Sequence, residues 1–199
     1  MPAAALDFWF DFASTYSYPA AIRIRMHAKK AEVAVRFRPF LLGPVFKAQG
    51  WDTSPFNLYP AKGRYMWRDL ARVCGALDLP FVQPAQFPQN AVLAARVALV
   101  GLARDWGEDF CRAVYAAEFG AGCNIGEPAA VAEIIGKLGH DADAVMAEAQ
   151  ADAIKAQLRT QTEEAVKLGI FGAPSFVAAD GELFWGNDRL EAALEWAKR

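Results

Sequence analysis

The sequence predicts an α/β fold in which a β-α-β unit and a β-β-α unit build one sheet around an all-helical insertion. Three observations carry this. The first forty residues read strand, helix, strand; the helical period alone runs through the middle of the chain; and after Gly169 the period returns to two. Residues 1–63 and 169–199 therefore make the sheet-bearing domain, and residues 64–168 the helical insertion.

Residues 6–12 alternate and are rich in aromatics, as a buried strand requires. Pro19 suits the first turn of a helix, where its missing N–H costs little, and AAIRIRMHAKK continues it. In VAVRFRPF, Val33, Val35 and Phe37 fall on one face and Arg36 and Arg38 on the other, which predicts a second strand parallel to the first. Residues 42–63, rich in Gly and Pro, and residues 79–89, with three prolines, read as the flexible segments. About five helices are expected from residue 64 to 168, with breaks at residues 80–88, 120–128 and at Gly139. The last of them carries Ile154, Leu158, Ala165 and Leu168 on one stripe and stops at Gly169. PSFVAADGELFWG predicts a hairpin of residues 175–178 and 182–185 turned through Ala179-Asp180-Gly181, and NDRLEAALEWAKR a closing helix capped by Asn187 or Asp188.

Composition removes several function classes. Of the 199 residues, 54% are hydrophobic and 22% charged, ordinary globular usage that excludes a disordered chain. A net charge of -2 offers no basic field, so no nucleic-acid partner is expected. MPAAALDFWFDF lacks the cationic start of an export signal, and the most apolar run, AVLAARVALVGLA, is broken by Arg96; the reading is a cytoplasmic chain with no membrane segment. Cys74, Cys111 and Cys123 form no CxxC pair and their odd number argues against a disulfide framework, leaving them as packing residues in a reducing compartment. Two isolated histidines, His27 and His140, assemble no metal site with them and make poor candidates for a base.

The chemistry gathers at FWFDFASTYSYP, residues 8–19, where a strand ends in a run of hydroxyls at a helix start. Unpaired backbone N–H groups and a positive dipole end lie there and stabilise a nearby thiolate. Ser14 or Ser17 at such a junction is otherwise a simple helix cap. Asp11 reads either as a buried functional acid or as a partner for loop N–H groups.

FGAPSF, residues 171–176, places Ala173-Pro174 just before the third strand. In thioredoxin-like folds a cis-proline just before a strand faces the first helix. By the place of this proline the chain resembles the thioredoxin superfamily in its DsbA-like arrangement, a thioredoxin-like domain with a helical insertion, which implies a cis Ala173-Pro174 bond. Redox members carry CxxC where this chain has Ser14-Thr15-Tyr16-Ser17, so thiol–disulfide exchange by the protein's own sulfur is excluded here. Such a fold can borrow a sulfur from glutathione.

FWFDFAS-x-x-SY, YPAKGRY at residues 59–65, FGAPSF and WGNDRL at residues 185–190 together resemble the 2-hydroxychromene-2-carboxylate isomerases and the related kappa-class glutathione transferases, end to end. The resemblance implies glutathione as cofactor. It makes Ser14 the catalytic serine that hydrogen-bonds the glutathione sulfur and Lys62 the partner of the glycyl carboxylate. Ala173, before Pro174, becomes the backbone partner of the cysteinyl part, and Asn187 and Asp188 the holders of the γ-glutamyl end. Ammonium to Asp188 and carboxylates to Lys62 and the helix start at Asn187 would match the tripeptide's charges. Two positions depart from the family: Thr15 stands where a proline usually follows the serine, and Thr53 where the transferases have an asparagine nine residues before the lysine, with Asn57 close by.

The implied activity is cis-trans isomerisation of an aromatic hydroxy-pyruvylidene acid. The thiolate adds to a conjugated double bond, the resulting single bond rotates, and elimination returns the cofactor. Phe40, Tyr16, Trp51, Phe56, Tyr65 and Trp67 are available as apolar walls for this small aromatic substrate. Two rivals stand beside it: a glutathione transferase that leaves the tripeptide on its electrophile, and a non-catalytic binding module on the same fold. A homodimer is implied by the family alone.

Overall fold

The computed structural model describes residues 4–199; residues 1–3 of the sheet-bearing domain lie outside the described part. Four strands form one sheet in the order β2-β1-β3-β4: β1 (Ala5–Phe10), β2 (Ala34–Pro39), β3 (Ser175–Ala178) and β4 (Leu183–Trp185). β2 runs parallel to β1, joined through α1 (Ser17–Ala31), while β3 and β4 are antiparallel to their neighbours. The expected β-α-β and β-β-α halves thus meet on one central strand, as a mostly apolar β1 demands by needing cover on both faces.

The register puts four phenylalanines in one row across the sheet. Phe37, Phe8, Phe176 and Phe184 sit opposite one another on successive strands. Phe8 meets Phe37 edge-on at 5.1 Å and stacks on Phe176 at 5.5 Å. Each such pair adds about 0.5–1.5 kcal/mol beyond its buried area. This face is covered by α1, through Ala20, Ala21, Ile24 and Ala28, by the insertion, and by α10 (Leu190–Trp196). The opposite face carries a second core of Trp9, Phe40, Val45, Ala165, Ile170 and Val177.

The insertion holds six helices: α4 (Pro60–Ala76), α5 (Val92–Leu102), α6 (Gly107–Tyr115), α7 (Pro128–Lys137), α8 (Ala142–Ala149) and α9 (Asp152–Lys167). α6 runs on into a π-helical turn, Ala116–Gly120. None among the described residues is long and apolar enough to cross a membrane.

Four expectations are corrected. Residues 42–63 are not irregular: they hold α2 (Leu42–Ala48), α3 (Pro55–Leu58) and the first turn of α4. Pro55 and Pro60 look like breakers but stand at the first helical positions, where no N–H is needed. Leu168 leaves the α9 stripe, because the helix ends at Lys167 and Gly169 turns the chain at φ +76°. The closing helix has no Asn or Asp cap: residues Asn187–Arg189 form a 3-10 turn, and Arg189 precedes α10. Cys74 and Cys111 are buried as expected of packing residues, whereas Cys123 is exposed.

Candidate active site

β1 stops at Phe10 because Asp11 redirects the chain. Its carboxylate accepts the N–H of Ala13 at 2.9 Å and that of Leu42 at 2.7 Å, tying the loop after β1 to the loop after β2. Its carbonyl accepts the Ser14 N–H and the Tyr115 hydroxyl, both at 2.9 Å. Burial pushes the Asp11 carboxyl up to about 6, against the two amide N–H groups that pull it down. The alternative left by the sequence thus takes a definite form: Asp11 is the hub of loop N–H groups and is also a buried acid in a cavity wall.

Ser14 follows in the turn that leads into α1. It is 7% exposed, and its Oγ–H donates to the Ala173 carbonyl at 2.8 Å. The Ala173-Pro174 bond is cis, as the superfamily resemblance implies, and Phe87-Pro88 is cis as well. Ser17 lies fully buried in the first turn of α1 and makes no side-chain cap, so the hydroxyl with access to open space is that of Ser14, with Thr15 beside it.

Both residues line a cavity of about 930 Å³ between the sheet-bearing part and the insertion. That is the size of a site for a drug-sized ligand. Lys62, Thr53 and Ala173 line it too. Lys62, on the first turn of α4, sets its ammonium 5.0 Å from the Tyr59 ring centroid. Gly63 is required beside it: a Cβ there would come within 2.5 Å of the Phe56 carbonyl oxygen, which closes α3 onto α4. Thr53 accepts a hydrogen bond from Asn57 Nδ2 at 3.1 Å, so the two candidates for the missing asparagine are joined.

Of the expected aromatic walls, Tyr16, Phe56 and Tyr65 line the cavity. Phe40 belongs to the second core, Trp51 packs on Phe46, and Trp67 packs between Phe81 and Phe87. Phe46 and Phe87 take the vacant places in the wall. The Tyr16 hydroxyl donates to Asp69 at 2.8 Å, which locks the start of α1 to α4; burial and that carboxylate push its ionisation well up.

Asn187 and Asp188 do not line the cavity. They lie beyond Trp185, which packs on Phe171 at 4.9 Å with the rings tilted at 58° where both line the wall. Asn187 is held by Arg23, whose Nε donates to its Oδ1 at 3.1 Å and whose terminal nitrogen donates to its carbonyl at 2.6 Å. The Asp188 side chain is 71% exposed and pairs with Arg189. Arg23 escaped the sequence reading, since an arginine on an amphipathic helix looks like any solvated charge. Gln89 escaped it also: buried in the cavity wall, it bridges the Ile125 N–H and the Cys123 carbonyl. The histidines stay away, His27 near Glu191 and His140 on Trp106.

The DSBA-like thioredoxin domain family matches residues 5–195. A 2-hydroxychromene-2-carboxylate isomerase of Sphingobium xenophagum is 30% identical over 94% of both chains. Glutathione S-transferase kappa 2 of Caenorhabditis elegans is 27% identical over 96% of this chain and 90% of its own. A solved structure of a 2-hydroxychromene-2-carboxylate isomerase superposes with a TM-score of 0.83 at 30% identity, covering 98% of this chain and 94% of that one.

Proposed function

The chain belongs to the DSBA-like thioredoxin domain family and, within it, to the family of the 2-hydroxychromene-2-carboxylate isomerases, and from that membership we propose that it is a glutathione-dependent cis-trans isomerase. Its substrate is 2-hydroxychromene-2-carboxylate or a similar conjugated aromatic oxo-acid. The observation that carries the reading is the placement of the Ser14 hydroxyl against the carbonyl before Pro174, in the wall of an apolar cavity.

The residues present fit the cofactor. Lys62 and Thr53 line the cavity for the glycyl end, Ala173, just before the cis bond to Pro174, lines it for the middle, and Asn187 and Asp188, outside the cavity and past Trp185, are left for the γ-glutamyl end. Glutathione supplies a nucleophilic sulfur whose reversible addition turns a conjugated double bond into one that rotates. Ser14 turns its hydroxyl from the Ala173 carbonyl to donate to that sulfur, and Thr15 offers a second hydroxyl in place of the usual proline. A neutral donor stabilises a thiolate without ionising itself. Phe46, Phe56, Tyr65 and Phe87 exclude water and accept the aromatic part of the substrate. The reading includes a homodimer in the cytoplasm, where the three free cysteines stay reduced.

The test is isomerisation of 2-hydroxychromene-2-carboxylate followed by absorbance, with and without glutathione. Turnover that requires glutathione and leaves its concentration unchanged supports the isomerase. The likeness to kappa-class enzymes favours one second reading, a transferase; glutathione falling in step with the substrate would establish it. Turnover indifferent to glutathione would sink both.

A further inference from the structure

We propose that Asp11 is the base that takes the proton from the glutathione thiol, a residue that touches the reacting sulfur's proton in a cavity wall without a histidine. The inference rests on the glutathione reading above.

Forming a thiolate breaks an S–H bond, leaves its electron pair on sulfur and requires a destination for the proton. Asp11 is the buried carboxylate of the cavity wall, three residues before Ser14 and hydrogen-bonded to it through the main chain. Each of its oxygens accepts one amide N–H, Ala13 to one and Leu42 to the other, and a carboxylate oxygen has a further lone pair for an incoming proton. The other ionisable groups of the wall are less suited. Asp52 is exposed, Lys62 is taken by the glycyl carboxylate in the reading above, Tyr65 is 60% exposed, and the Tyr16 hydroxyl is committed to Asp69.

The groups packed behind Asp11 prepare it. Tyr115 donates to its carbonyl, and Glu118 stands beyond in the π-helical turn, 0% exposed, with both carboxylate oxygens buried and without a protein partner. A buried carboxyl without cations or donors stays neutral, and the negative charge of Asp11 adds to that preference; Tyr115 and Cys111 are likewise held neutral by burial. Asp11 is thus the one anion of the cluster. Its carboxyl, raised to about 6 by burial, lies close enough to neutrality to accept a proton. A thiolate formed beside it strengthens its hold on that proton until the cofactor leaves and takes it back.

Titration calorimetry of glutathione into the full chain at neutral pH, in two buffers of different ionisation enthalpy, counts protons released, while ultraviolet absorbance counts thiolates formed. Wild type is expected to form the thiolate with almost no proton released, and Asp11→Asn to release about one proton for each thiolate it forms. About one proton released per thiolate in wild type, or the same small count in Asp11→Asn, overturns the inference while leaving glutathione binding intact. Absence of binding to wild type overturns the glutathione reading and this inference with it. Where Asp11→Asn does not fold, infrared difference spectra of wild type decide: a carboxylic-acid band must appear as glutathione binds, and its absence overturns the inference.

Discussion

The Ser14 hydroxyl and the Ala173 carbonyl lie 2.8 Å apart although 159 positions separate them in the chain. That contact joins the end of the first strand to the start of the third, and with them the two halves of the sheet-bearing domain. It also holds the hydroxyl poised at the cavity, one rotation from donating to a sulfur placed there.

Arg23 is predicted to govern glutathione affinity without entering the chemistry. Its two hydrogen bonds to Asn187 are what set that residue beyond Trp185. Arg23→Ala should raise KM for glutathione about tenfold and leave kcat near the wild-type value, because a positioning contact made equally in ground and transition state moves KM alone. A matching fall in kcat would show that Asn187 lies nearer the reaction than the geometry places it.

Gly172 is predicted to admit no side chain. A Cβ there would stand 2.5 Å from Trp185 Nε1, so Gly172→Ala must push the indole away and open the Phe171–Trp185 contact. The expected cost is about 1–3 kcal/mol in denaturant unfolding, with a shift in tryptophan fluorescence. An unchanged spectrum and midpoint would contradict the close approach.

Glu118 makes stability depend on pH in a definite direction. Burial, and then the charge of Asp11, raise its carboxyl well above the ordinary 4.5. The folded state therefore holds a proton that the unfolded chain has given up, so wild-type stability from this group falls as pH rises above about 4.5. Glu118→Gln does not titrate. Its stability relative to wild type should grow by as much as about 1.4 kcal/mol per pH unit until the folded carboxyl itself ionises. Unfolding midpoints that keep a constant gap from acid to neutral pH would mean that Glu118 is not the neutral buried acid described.

The parts of the site that could be read in sequence are those where local chemistry is unusual. A run of hydroxyls after a buried strand and a proline before another draw the eye to Ser14 and to Ala173-Pro174, but on local chemistry alone the first is also a helix cap and the second a plain turn, and their roles came from the family resemblance. Lys62 was reachable only through the likeness of YPAKGRY to a family. Asn187 and Asp188 entered only through the likeness of WGNDRL to a family, and their place outside the cavity goes with the Arg23 clamp, which no local pattern encodes. Residues 42–63 were misread because prolines at helix starts look like prolines in loops. Glu118 was passed over since a lone acid in AAEFG has the look of a solvent-facing residue; only the packing of the π-helical turn against the Asp11 loop buries it.

The central claim is a thiolate held at Ser14, and the direct measurement is the ultraviolet absorbance of bound glutathione against pH, in wild type and in Ser14→Ala. The account predicts a bound thiol that ionises well below the free tripeptide in wild type and moves back toward it in the variant, by about two to three units if one preorganised donor is lost. Bound glutathione that ionises alike in both proteins would contradict it.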